Sequence, residues 1–215
     1  MSKLYYDQTI NPRKACAVAR HLQLPVEFVH VRLAKGEHKA PAFLAINPNG
    51  RLPALVDGDL RLWEANAIMC HLSNVAGADL WPRAARDQVE VQRWLSWDAF
   101  HFMPHGGSLY FEHLIRPVLG MGAPDAAVVA QATQAFTRSA AVLQAHLQDR
   151  RFVLGDALSV ADFALSAALP YAREAKLPLA DFPAVRAWHA RLDALPGWHD
   201  PFAGFGDLPP KGAPA

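Results

Sequence analysis

Apolar and polar positions change period near residue 80. Before it, short strand-like runs alternate with helical ones. Leu4-Tyr5-Tyr6 is a short strand candidate. From Pro12 to Leu22, Ala15, Val18, Ala19 and Leu22 recur three and four apart, which predicts a helix. Val26 to Val31 is rich in β-branched and aromatic residues and predicts a second strand. Pro41 to Ile46 predicts a short helix. Ala54-Leu55-Val56 and Leu60-Arg61-Leu62 flank Asp57-Gly58, a tight-turn signal that joins them as a hairpin. Ile68, Met69, Leu72 and Val75 then share one face of a further helix. The order is β-α-β-α-β-β-α, an α/β unit over residues 1–78.

After Trp81-Pro82 the spacing is helical almost throughout, and Pro82 suits a first helical position. Val89, Val91, Trp94 and Leu95 open a long striped helix, and Pro104 is expected to break it. Gly106-Gly107 and Tyr110-Phe111 then predict a mobile, aromatic stretch. Val129, Ala132, Phe136, Ala140, Leu143 and Leu147 mark a second long helix. Ser159 and Asp162 stand in the S-x-x-D spacing of a capping box ahead of an apolar run. Val185, Trp188, Leu192 and Leu195 mark another helix. The fold class is therefore α/β plus all-α, with an all-helical domain over 82–203. From Gly204 to Ala215 the chain is rich in Gly and Pro and reads as a loose surface tail.

Hydrophobic residues are 52% of the 215 and charged residues 19%, enough for a sizeable core. Lys plus Arg number 21 against 20 Asp plus Glu, a formal charge of +1. That balance argues against a nucleic-acid or membrane-surface binder. No run approaches the ~18 apolar residues of a membrane span. Residues Met1 to Gln8 lack a signal-peptide run, and two cysteines make no disulfide scaffold, so a cytoplasmic setting is expected. The histidines are scattered without metal-site spacing, so no metal is expected. Cys16 and Cys70 read as small core residues.

Candidate chemistry concentrates between Gly36 and Leu72. Pro53 cannot donate into a ladder and holds Leu52 extended at the start of a strand. The Leu52 N–H and C=O are then free to pair with an added peptide backbone, and a cis Leu52–Pro53 bond would turn them toward solvent. Glu64-Ala65 falls where a helix starts, so helix amides would meet a carboxylate while Glu64 holds an ammonium. Arg13, His38, Lys39 and Arg51 lie on segments that could converge. Together these suggest a pocket for a short, zwitterionic, carboxylate-bearing peptide.

The stretches Gly36-Glu37-His38-Lys39, Asn47-Pro48-Asn49-Gly50-Arg51-Leu52-Pro53-Ala54-Leu55, Asp57-Gly58-Asp59-Leu60 and Glu64-Ala65-Asn66-Ala67-Ile68 resemble cytosolic glutathione transferases of the phi and theta-like branches. Leu158 to Phe163 resembles the same family's capped core helix. The resemblance implies a thioredoxin-like N-terminal domain, a helical C-terminal domain and a homodimer. It also implies glutathione as co-substrate. Leu52 beside Pro53 would pair with the cysteinyl backbone, and Glu64-Ala65 would hold the γ-glutamyl end, with Ala65 lacking the family's serine hydroxyl. His38, Lys39 and Arg51 would meet the glycyl carboxylate. From the residues alone, Thr9 or Asn11 would cap the first helix. The resemblance instead puts Thr9 at the thiol-activating position with Asn11 as a second donor, and Tyr6 as an outside candidate. Thr9-x-Asn11 also resembles the bacterial nu-class proteins, which lean toward disulfide reduction with glutathione. Phe102, His105 and Tyr110 are the candidates for an electrophile pocket. Three functions follow: conjugation of glutathione to a small hydrophobic electrophile, reduction of a disulfide by glutathione, or binding without chemistry on the same fold.

Overall fold

A computed structural model describes residues 1–205. The expected loose tail from Gly204 is corrected at its start, where the Phe205 ring packs 4.7 Å from that of Tyr6 and 4.6 Å from that of Phe28, and residues 206–215 lie outside the described residues. The first unit comprises β1 (Lys3–Tyr6), α1 (Ile10–His21), β2 (Glu27–His30), α2 (Pro41–Leu44), β3 (Ala54–Asp57), β4 (Leu60–Trp63) and α3 (Ala65–Val75). The sheet order is β2-β1-β3-β4. β1 runs parallel to β2, with Leu4 opposite Phe28, and antiparallel to β3, with Leu4 opposite Leu55. β4 pairs antiparallel with β3 at the edge, and Asp57 faces Leu60, so the hairpin loop is Gly58-Asp59. This mixed four-stranded sheet with its helices is a thioredoxin-like unit.

Strand alternation divides the unit's apolar residues between two faces. Leu4 and Tyr6 join α1, α3 and the helical half in one large core. Tyr5, between them, packs with Val31, Phe43 and Ala54 in a small second cluster beneath α2. On α3, Ile68, Met69 and Leu72 are buried as the spacing predicts, but Val75 in its last turn is 55% exposed.

The helical unit comprises α4 (Ala85–Trp97), α5 (Met103–Tyr110), α6 (Arg116–Val118), α7 (Ala126–Leu147), α8 (Val160–Leu165), α9 (Pro183–Asp193) and α10 (Pro196–His199). Pro82 does not begin a helix; α4 starts three residues later, and the Pro82 carbonyl accepts a hydrogen bond from Gln88 Nε2 at 2.9 Å. Val89 is exposed on α4, so the buried stripe is Val91, Trp94 and Leu95. Pro104 does not break the helix either. Proline crowds the carbonyl four residues back and removes a donor. That carbonyl belongs to Phe100, inside a wider π turn, Asp98–Phe102, which absorbs the misfit between α4 and α5. A second π turn, Phe111–Ile115, leads into α6. The glycine pair lies within α5 rather than in a loop. Gly106 is buried in α5, and a Cβ there would stand 3.3 Å from both Phe136 and Ala168, so glycine permits this close packing on α7.

The capping box before α8 is present. Asp162 is fully buried and accepts four hydrogen bonds of 2.9 Å. Oδ1 takes those from Val153 N–H and Trp188 Nε1, and Oδ2 those from Ser159 N–H and Oγ. One side chain thus ties the start of α8 to α9 and to the Phe152–Gly155 turn. Truncation leaves buried donors without an acceptor, each costing about 1–3 kcal/mol. Asp162→Ala should therefore lower unfolding free energy by about 3–5 kcal/mol in urea titrations, with Asp162→Asn less damaging. A loss below about 1 kcal/mol for Asp162→Ala would contradict this role.

Candidate active site

A cavity of about 230 Å³ lies where the loop before β3, the starts of α1 and α3, the π turn after α4 and the start of α5 meet. The loop is shaped by Asn47, which is 2% exposed. Its Nδ2 donates to the Arg51 carbonyl at 2.6 Å, and its Oδ1 accepts from the Asn49 N–H at 3.0 Å. Gly50 has φ +57°, and a Cβ there would come 3.2 Å from the His38 carbonyl, so only glycine turns the chain this closely. The loop delivers Arg51, Leu52 and Pro53 to the cavity wall. The Leu52–Pro53 bond is cis. The ladder between β1 and β3 begins at Ala54, and no hydrogen bond engages the Leu52 N–H or C=O among the described residues. A free donor and acceptor on one loop residue is what an incoming peptide backbone needs.

Opposite it, Glu64 precedes α3 with φ +70° and ψ 117°, a conformation costing a non-glycine residue about 1–3 kcal/mol. Its carboxylate does not cap the helix. Ala65 and Asn66 line the cavity, and the α3 N-terminus presents its first amides to it. Asn66 Oδ1 is buried without a partner. The wall therefore offers helix amides for a carboxylate, with the Glu64 carboxylate and the Asn66 oxygen as acceptors for an ammonium. Arg51, exposed at the mouth, is free to meet a second carboxylate.

From α1 come Asn11 and Lys14; from the helical unit come Asp98, Ala99 and Met103. Lys14 Nζ lies 3.3 Å from Asp98 Oδ2, and both side chains are almost wholly buried. Thr9 is the residue that opens α1, with extended backbone, and its hydroxyl bonds none of the helix amides. The hydroxyl makes no hydrogen bond among the described residues, and Asn11 lines the cavity whereas Thr9 does not.

Other sequence candidates fall elsewhere. Arg13, one residue from Lys14, points away from the cavity: it is fully buried, donates from Nη2 to the carbonyls of Trp198 and His199, and lies 5.0 Å from the Trp198 ring centre. It fastens α10 to α1. His38 and Lys39 form a short 3₁₀ turn, Glu37–Lys39, beside Gly50, rather than the cavity wall. His38 is half-buried with Nδ1 unpartnered, and Lys39 is exposed. Tyr6 sits in an aromatic cluster, stacked on His30 at 5.3 Å and Phe202 at 5.8 Å, and burial pushes its hydroxyl up to about 12. It faces the core. Cys16 is fully buried and Cys70 half-buried; burial pushes the Cys70 thiol up to about 12 and the Cys16 thiol higher still.

Phe102 and Tyr110 do not form a pocket. Phe102 is 2% exposed and stacks on Phe136 at 4.8 Å, and Tyr110 meets Tyr171 at 5.0 Å inside the core. His105 is half-buried on another side of α5, its imidazole kept toward neutral by burial, then by Arg138 and His101. A helix turns its side chains by about 100° per residue, so their intervening neighbours take the outward place. Met103, Pro104, Gly107 and Phe111 line a groove of about 310 Å³ with Ile10 of α1 and Val128 of α7. This groove shares Asn11 and Met103 with the first cavity. Sequence reasoning missed Lys14, Asp98 and Met103. A lone acid in the aromatic run Trp97 to Phe102 was the available signal for Asp98. No group of three or more metal-ligating side chains occurs among the described residues.

Comparison with known proteins agrees with this architecture. Residues 3–74 match the glutathione S-transferase N-terminal domain, and residues 126–191 the C-terminal domain. Glutathione S-transferase 3 of Zea mays is 36% identical, over 98% of this chain and 97% of its own. The solved apo structure of glutathione S-transferase III is 35% identical, with a TM-score of 0.83 over 97% of this chain and 99% of the other. Glutathione S-transferase I from mais, solved with an atrazine glutathione conjugate, is 28% identical, with a TM-score of 0.84 over 93% and 95% of the two chains. With both domains matched in order and a relative of this identity aligned from end to end, the chain belongs to the glutathione S-transferase family.

Proposed function

We propose that this protein binds glutathione in the 230 Å³ cavity and directs its thiol at small apolar electrophiles held in the adjoining groove. The observation that carries this reading is the unpaired Leu52 backbone between Arg51 and the α3 N-terminus. Glutathione is a zwitterionic tripeptide. Its cysteinyl backbone would pair with Leu52, its γ-glutamyl end would meet Glu64, Ala65 and Asn66, and its glycyl carboxylate would face Arg51, with His38 and Lys39 flanking the mouth. The sulfur then lies toward Asn11, where the cavity and groove join. Residues 1–78 would supply the peptide site and 82–203 the electrophile wall. The relative solved with an atrazine glutathione conjugate supports glutathione binding on this fold.

A free thiol has its pKa near ~8.5 and is mostly protonated at neutral pH. The Thr9 hydroxyl, unused by the helix, and the Asn11 amide are the donors that would hold it as thiolate. The same Thr9-x-Asn11 pair favours a second reading, glutathione-dependent disulfide reduction. Paired assays with glutathione, one with a conjugation substrate and one with a small disulfide, test both. Turnover with either is expected. Thr9→Val and Asn11→Ala should each lower it by about tenfold to a hundredfold, the worth of a charge-assisted hydrogen bond, with glutathione affinity changing less. No turnover in either assay would leave a binding protein on this fold.

The reading extends to assembly and setting. A homodimer would cover exposed apolar positions such as Leu60, Trp63 and Val89, and a cytoplasmic location would keep glutathione and both cysteines reduced. Light scattering should give twice 23.6 kDa at micromolar concentration, and a monomer mass would refute the dimer.

A further inference from the structure

Glu112 lines the electrophile groove, yet it has no place in the binding scheme above. It is 4% exposed. Burying a carboxylate is costly unless hydrogen bonds replace its water. Both of its oxygens are spent on the segment that leads through α6 to α7. Oε2 accepts the Asp125 N–H at 2.7 Å. Oε1 accepts from Arg116 Nη1 at 3.4 Å, and Arg116 Nε donates to the Ala123 carbonyl at 3.0 Å. This polar staple is what fastens the segment. Its apolar residues Val118, Leu119 and Met121 are all at least 50% exposed, and Gly120 and Gly122 carry positive φ, so little packing holds it down.

The staple continues into the groove. Asp125 caps α7, and its Oδ1 accepts from the Ala127 N–H at 2.9 Å and the Val128 N–H at 3.2 Å. Val128 lines the same groove as Phe111, the residue before Glu112. Glu112 thus ties together two walls of the groove, the π turn Phe111–Ile115 and the first turn of α7. At about 310 Å³ the groove is at the small end of ligand pockets. Its polar side chains offer little to a ligand, because Ser108 Oγ donates to the Pro104 carbonyl at 2.7 Å and Glu112 is committed to the staple. An uncharged apolar electrophile is held there by fit, and fit depends on where Val128 stands.

We propose that Glu112 sets the size limit of the electrophile groove: through Asp125 it holds Val128 in place, so that narrow electrophiles are gripped and wide ones refused. This rests on the reading of the groove given above. Glu112 is a positioning residue, since the reacting atoms would meet at Asn11, where groove and cavity join. A staple serving stability alone would slow all electrophiles alike when cut. A size limit changes the ratio between them.

The test is steady-state turnover at saturating glutathione with two arylmethyl chlorides of different width, benzyl chloride and anthracenylmethyl chloride. In both, the thiolate sulfur bonds to the CH₂ carbon and chloride leaves. Glutathione binding is measured separately by calorimetry. Glu112→Ala should raise the KM for benzyl chloride and shift the ratio of kcat/KM toward the anthracenyl substrate by about tenfold or more, the range that fit in an apolar pocket commands. Glu112→Gln keeps a carbonyl acceptor for the Asp125 N–H and should stay within about threefold of wild type. Asp125→Ala, at an exposed position, breaks the same link beyond Glu112 and should shift the ratio the same way, so it decides the matter should Glu112→Ala not fold. Glutathione affinity should hold in all three. A ratio unchanged in Asp125→Ala and in any folded Glu112→Ala, or shifted as far by Glu112→Gln as by Glu112→Ala, overturns the proposal and leaves the groove reading intact. Wild type that binds glutathione with measurable heat but turns over neither chloride overturns the groove reading itself, and this proposal with it.

Discussion

A residue left out of its sheet organises the cavity. The β1–β3 ladder starts at Ala54, so Leu52 arrives beside it with donor and acceptor unspent among the described residues. Unpaired backbone groups are costly when buried and useful when a ligand can pair them. Much around Leu52 holds it there: Asn47 anchors the loop through the Arg51 carbonyl, Gly50 passes the His38 turn at close range, and Pro53 cannot donate to the ladder. The strained Glu64 brings the start of α3 to the other side of the same opening.

The helical unit completes what the sheet begins. α1 is the element both share. Arg13 and Lys14, adjacent in sequence, point in different directions because of the helix step. Arg13 goes to the carbonyls that close α10, and Lys14 goes to Asp98 in the π turn after α4. The π turn exists because Pro104 cannot continue a regular helix, and Asp98 is its first residue. A misfit in α5 thereby coincides with a charged wall in the cavity. Gly106 then allows α5 to lie close on α7, which helps fix the groove on its outer side.

The order of elements was legible because each depends on local spacing. The helical stripe of α1, the hairpin signal at Asp57-Gly58 and the Ser159–Asp162 box all depend on residues within one or two turns of each other. Leu52, Pro53, Arg51, Glu64 and Ala65 were legible in the same way, as loop and helix-start chemistry that meets in the cavity. What escaped was rotational. Phe102 and Tyr110 turn into the core while Met103, Gly107 and the equally bulky Phe111 face the groove, so rotation about the helix rather than size decides. Arg13 was expected to join the anion site and Lys14 was overlooked, although one residue separates them. Sequence spacing tells which residues share a face, but the packing of α10 and the π turn decides which face meets the cavity.

Glutathione docking on Leu52 is reported directly by the Leu52 amide hydrogen. Hydrogen exchange at the Leu52 N–H, followed by NMR without glutathione and at saturation, measures whether the ligand backbone takes that donor. In the free protein the amide should exchange quickly, having no acceptor among the described residues. At saturation it should slow by at least about tenfold, the equivalent of roughly 1.4 kcal/mol of protection. Saturating glutathione that leaves the Leu52 amide exchanging at its free rate would contradict the account, because the peptide would then be held somewhere other than the edge around which the cavity is arranged.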